Sequence, residues 1–189
     1  MSLYKTLFMH EQDYLISNYH ELIETVVYSV VVFMVPFLLG HPQYVVGVIV
    51  NMALVLAAFN LRDGRLLPVI LLPSIAVLSR GLIFGPFTMY LVYIIPFIWM
   101  GNFLLVYAVK RFGVSGRKHS VGKDFLSLGI GTAIKAGFIF AGAYLLFSFA
   151  VIPKQLLVPM GIIQVVTAAI GGTLAIGVQK IKKRFAAAN

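Results

Sequence analysis

The chain contains no cysteine. Disulfides, thiolate metal sites and cysteine nucleophiles are therefore excluded. Charge is also scarce. Only 11% of the 189 residues are charged, against about 25% in an ordinary soluble domain. There are six acids, Glu11, Asp13, Glu21, Glu24, Asp63 and Asp124, and none lies deeper in a long apolar run than Glu24, the second residue of the first run. With four scattered histidines, they leave little from which to build a metal cage. Catalytic constellations are weak as well. Ser79, Ser127 and Ser148 have no histidine at a readable spacing, and no phosphate-cradling loop or ATP-binding motif is present. The expectation is a protein that is not an enzyme and carries no cofactor. Any active transport would draw its energy from another chain.

Apolar residues are abundant. They make up 60% of the chain, and the mean hydropathy is +0.96. That leaves too little polar surface to cover a water-soluble globule, so the sequence reads as an all-α, polytopic membrane protein. Crossing the hydrocarbon takes about 20 apolar residues per helix. Six runs suffice, at roughly 23–40 ("IETVVYSVVVFMVPFLLG"), 43–60, 66–83, 87–109, 126–152 and 158–180. They form one transmembrane domain over 1–189, with no room for a separate soluble domain. The short "GHPQ" between the first two makes a tight hairpin, and Pro68 and Pro73 interrupt the third. Residues 1–20 differ: Leu3, Tyr4, Leu7, Phe8, Tyr14 and Leu15 recur at helical spacing beside Glu11 and Asp13. This predicts an amphipathic helix lying at the interface. Lys5 alone, with no small-residue cleavage site, argues against a signal peptide.

The net charge is +9. The basic residues gather at helix ends, so topology explains them better than nucleic acid. Arg62, Arg65, Lys110, Arg111, Arg117, Lys118, Lys123, Lys180, Lys182, Lys183 and Arg184 fall on one side, joined by Lys5. Only Arg80 and Lys154 fall on the other. Cytoplasmic loops are enriched in Lys and Arg, so the expected location is the cell membrane with both termini cytoplasmic.

One cation remains. Lys135, in "GTAIKAGF" (131–138), stands in an otherwise uncharged span. At mid-membrane it costs about 2.5–3.5 kcal/mol on insertion scales. It either snorkels to the interface, bonds a helix-end carbonyl, or faces a polar cavity and an anionic or carbonyl-bearing ligand. Arg80, ending the third run in "AVLSRGLIFGP", is either an interfacial anchor or a planar fork for a carboxylate or phosphate. Gly81, Gly85 and Pro86 would then form a covering loop. Asn51, Gln164, Tyr90, Tyr93 and Asn102 are each interhelical hydrogen-bonding groups or ligand contacts. Taken together they suggest an outward-opening cavity between Arg80 and Lys135, with His41 on its rim. Small residues form two stripes, Gly129–Ala133–Gly137–Ala141 and Ala168–Gly171–Gly172–Ala175–Ile176. Such stripes let helix backbones approach closely, by default within the chain and alternatively against a partner subunit.

"YIIPFIWMGNFLLVY" (93–107) and "MGIIQVVTAAIGG" (160–172) resemble the fourth and sixth helices of substrate-binding S components of energy-coupling factor transporters. The resemblance implies a six-helix protein that takes a vitamin or metal ion from outside, in a pocket under the first, third and fifth loops. It also implies docking to a transmembrane coupling subunit and two ATPases. Arg80 and His41 would lie near the pocket mouth and Gln164 on its wall. Many S components carry an alanine-spaced docking motif on the first helix, whereas "YSVVVFMVPFLLG" has no small-residue stripe. A stand-alone or differently partnered protein with that fold therefore stays open. The absence of buried carboxylates favours an organic anion or a neutral vitamin over a bare metal cation. The alternative is a structural or interaction subunit of a larger membrane complex without a ligand of its own.

Overall fold

A segment without water to satisfy its amides must bond them internally, and a helix does so within itself. The computed structural model, which describes residues 18–39, 41–84, 88–114 and 121–188, follows that rule throughout. Among the described residues there are six helices long and apolar enough to cross a membrane, and no strand. They are α1 (Asn18–Leu38), α2 (Gln43–Asn60), α3 (Leu66–Phe84), α4 (Thr88–Ala108), α5 (Val121–Ser148) and α6 (Ile162–Ala188). A π turn, Val109–Val114, follows α4, and a one-turn helix, Leu157–Met160, precedes α6. The expected interfacial helix over 1–20 lies almost wholly outside the described residues, as do Gly85, Pro86, Arg117 and Lys118.

The helices alternate in direction, and α2 is the enclosed one. Within its apolar window 61% of residues are buried, against 22–44% in the other five. Residues 53–59 of α2 are buried on every side, which fits an all-round apolar helix in a bundle core. Its most extensive partner is α6; α4 pairs with α5, and α1 with α3. Outward-facing Val, Leu, Ile and Phe side chains cover the rest, as lipid requires.

Glycines set the closest approaches. A Cβ on Gly171 of α6 would lie 2.4 Å from the Val48 carbonyl oxygen and 2.8 Å from the Met52 nitrogen, so α2 and α6 touch backbone to backbone. On α5, Gly131 lets α4 approach at Leu105 and Ala108, and Gly142 makes room for the Phe97 ring of α4. The stripe on α6 is thus an internal packing face. The stripe on α5 is not: a Cβ added at Gly129 or Gly137 would meet nothing within 4 Å, and Ala133 and Ala141 are exposed. The face of α5 that packs is Leu128, Gly131, Lys135, Ile139 and Gly142, offset from the stripe by a fraction of a turn.

Helix ends also depart from expectation for local reasons. The fifth helix runs Val121–Ser148 rather than 126–152 because it closes with two capping bonds. The Val151 N–H donates to Leu146 O and the Ala150 N–H to Phe147 O, with Ala150 left-handed at φ 56°. This is a Schellman motif built on alanine instead of glycine. In α3, Pro73 has no N–H to give. Two side chains of α4 reach the carbonyls just before it, Asn102 Nδ2 to Ile70 O (3.1 Å) and Trp99 Nε1 to Leu71 O (3.2 Å). Asn102 is therefore an interhelical clamp.

Candidate functional site

Lys135 stands midway along α5, about 20 Å from either helix end by rise per residue. It is 2% exposed, so it does not snorkel. The bend back toward the interface is overturned for a physical reason: helices close over it, and an acceptor waits inside. Its Nζ donates to Asn51 Oδ1 at 2.5 Å, and this is its single hydrogen-bond acceptor among the described residues. An ammonium has three N–H donors.

Asn51 is held as firmly. It occupies the middle of α2 at 2% exposure. Its Nδ2 donates to Gly47 O one turn earlier (2.9 Å) and to Thr167 Oγ1 of α6 (3.1 Å). With both amide hydrogens engaged, the carbonyl end must point at Lys135. Thr167 is 1% exposed and donates to Ile163 O at 2.8 Å, with a longer contact to Gln164 O at 3.4 Å. Gln164, in the first turn of α6, donates from Nε2 to Pro159 O at 3.4 Å. One turn from Lys135, on the same face of α5, Thr132 is 5% exposed and its hydroxyl has no hydrogen-bond partner among the described residues. These residues form a polar seam where α2, α5 and α6 meet, carrying a cation and no carboxylate.

No family model, no curated protein and no solved structure matches the chain.

Of the six residues singled out in the sequence, the seam gathers Lys135 and Asn51, with Gln164 joined through Thr167. The other three lie elsewhere. Arg80 donates from one guanidinium nitrogen to Phe37 O (2.6 Å) and Leu38 O (2.8 Å). Those are terminal carbonyls of α1, which have no intrahelical donor, and a cation there also suits the helix dipole. Arg80 therefore ties α3 to the end of α1, away from Lys135. Tyr90, in the first turn of α4, is 37% exposed, and His41 in the hairpin is exposed; neither meets the seam. Thr132 and Thr167 were missed because a threonine in an apolar helix usually bonds its own backbone. The legible clue was spacing: Gln164, Thr167 and Gly171 share one face of α6, and Gly47 and Asn51 share one face of α2.

The acids also find places. Helix α1 begins early enough to include Glu21 and Glu24, and Asp124 opens α5. All stand at the basic end of the bundle, so the central membrane layer remains free of carboxylates among the described residues.

Proposed function

We propose that this chain is the membrane-embedded capture subunit for uptake of a small polar solute, an organic anion or a neutral vitamin, energised by separate subunits in the manner of an S component. The observation that supports this reading is the Lys135 ammonium. It is buried at mid-bundle, aimed by a fixed asparagine, uncompensated by any carboxylate among the described residues, and left with donors to spare. Desolvation strengthens its pull on a negative or carbonyl oxygen, while Asn51, Thr132, Thr167 and Gln164 supply hydrogen bonds that set orientation. Arg80, His41 and Tyr90 are not needed for this site. The seam is closed by packing, so entry requires α6 to part from α2 and α5 near Gln164. The basic end faces the cytoplasm in this reading, and the membrane is the cell membrane.

Purification from native membranes in mild detergent tests the proposal. The expected result is co-purification of a coupling subunit and ATPases, with a small solute visible by native mass spectrometry and lost in Lys135→Met. A solute retained unchanged by Lys135→Met would remove the site.

A second reading has its own observation. The Gly129–Ala133–Gly137–Ala141 face of α5 points outward, and bare helix backbone of this kind suits close contact with another transmembrane helix. An interaction subunit without a ligand would form a stable complex lacking ATPases, and Gly137→Leu would strip the partner while leaving the bundle folded.

A further inference from the structure

The basic end of the bundle does not neutralise itself. Among the described residues it holds nine basic side chains and four acidic ones. Every acid is turned inward or already engaged. Glu21, 2% exposed, faces Arg62 Nε (3.4 Å) and an Arg65 guanidinium nitrogen (3.5 Å) and accepts the Arg62 backbone N–H (2.5 Å). Asp63 takes Lys110 at 2.6 Å and Glu24 takes Lys182 at 2.5 Å. Asp124 is 6% exposed. The cations left over are Arg111, Lys123, Lys180, Lys183 and Arg184, each exposed and none in an ion pair with a described residue.

Their depth can be counted along the helices. Lys135, Asn51 and Thr167 share one level near the middle of α5 and α2. From that level Lys123 is about 18 Å away, Lys180 about 20 Å and Arg184 about 26 Å at 1.5 Å per residue. The hydrocarbon half-thickness is about 15 Å, so these cations reach the layer of lipid phosphates. Helix α6 continues through this layer to Ala188. Lys180, Lys183 and Arg184 lie on one side of it and Ile181 and Phe185, 55% and 69% exposed, on another. A basic face beside an apolar one is the pattern of a segment that rests in the headgroup region.

We infer that this rim, centred on Lys180, Lys183 and Arg184 with Lys123 and Arg111 at the same end of the bundle, binds the headgroups of anionic phospholipids in the adjacent leaflet. The partner is a lipid rather than free phosphate because the cations stand at headgroup depth, beside exposed Ile181 and Phe185, whose apolar side chains suit the membrane interface rather than open water. The inference does not depend on a solute in the central seam.

The test is native mass spectrometry of the full chain in neutral detergent, titrated with equal amounts of phosphatidylglycerol and phosphatidylcholine. The comparison uses wild type, the triple variant Lys180→Gln/Lys183→Gln/Arg184→Gln, and Lys154→Gln at the opposite end. Phosphatidylglycerol should be retained preferentially, and the triple variant should lower that preference by about a hundredfold, at roughly fivefold per basic residue. Lys154→Gln should leave the preference unchanged, and inorganic phosphate should not displace the lipid. Equal retention of the two lipids by wild type, a preference that survives the triple variant, or displacement by millimolar phosphate would each overturn the inference. The wild-type comparison decides even where a variant folds poorly.

Discussion

Removing Asn51 and removing Lys135 should not be equivalent. Asn51→Leu strips the ammonium of its acceptor in a medium that offers no water, and hydrogen bonds to charged groups are worth about 1.5–3 kcal/mol. Lys135→Met leaves Asn51 with two of its bonds, to Gly47 and Thr167, and removes a buried cation whose desolvation was itself a cost. Thermal unfolding in detergent should therefore rank Asn51→Leu lowest. The double variant Asn51→Leu/Lys135→Met should melt above Asn51→Leu alone. If Asn51→Leu melts no lower than Lys135→Met, the lysine is not held by that amide. Thr167→Val should cost only about 1 kcal/mol, in line with single polar contacts between membrane helices.

At the scale of helices, two glycines with similar surroundings in the sequence behave differently in the bundle. Gly171 meets backbone atoms of α2, so Gly171→Val must push α2 and α6 apart. Overpacking of this kind costs typically about 1–3 kcal/mol and lowers the melting temperature. A Cβ at Gly137 meets nothing within 4 Å, so Gly137→Val should leave the melting temperature of the isolated chain nearly unchanged. Loss of stability in Gly137→Val matching that in Gly171→Val would contradict this assignment of faces. The end of α5 supplies a gain instead. Ala150 bears the left-handed cap at φ 56°, a conformation costing an L-residue about 1–2 kcal/mol, so Ala150→Gly should raise the melting temperature.

These same elements explain what could be read beforehand. Six spans could be read from hydropathy, because lipid permits few alternatives to a helix. The stop of α5 was hidden, since alanine carries no cap signal and glycine would have. Stripe orientation was hidden too. In a span apolar on all sides, periodicity does not tell a lipid-facing row from a packed one, so the row at Gly129 looked as internal as the row at Ala168. At the site, Lys135 and Asn51 stood out as polar residues where polarity is expensive. Their pairing across α2 and α5 depended on which helices adjoin. Arg80 stood out for the same reason, yet it caps α1.

Across the whole molecule, one end is a lattice of charge and the centre is a lone cation among amides and hydroxyls. Glu21, Glu24 and Asp63 pin α1, the α2–α3 loop, the end of α4 and the end of α6 together at the basic face. The absence of cysteine makes the orientation simple to test. Single cysteines at Lys154 and Lys183 should differ in intact cells: a membrane-impermeant maleimide should label Lys154→Cys at once and Lys183→Cys only after lysis. The reverse pattern would invert the topology. The central claim is that the seam around Lys135 receives a solute, and ligand-dependent melting of the purified chain tests it most directly. Screened against small carboxylates, organic phosphates and neutral vitamins, wild type should be stabilised by at least one compound, and Lys135→Met should lose that shift while remaining folded. A wild-type protein that no such compound stabilises, or a shift that persists in Lys135→Met, would contradict the account.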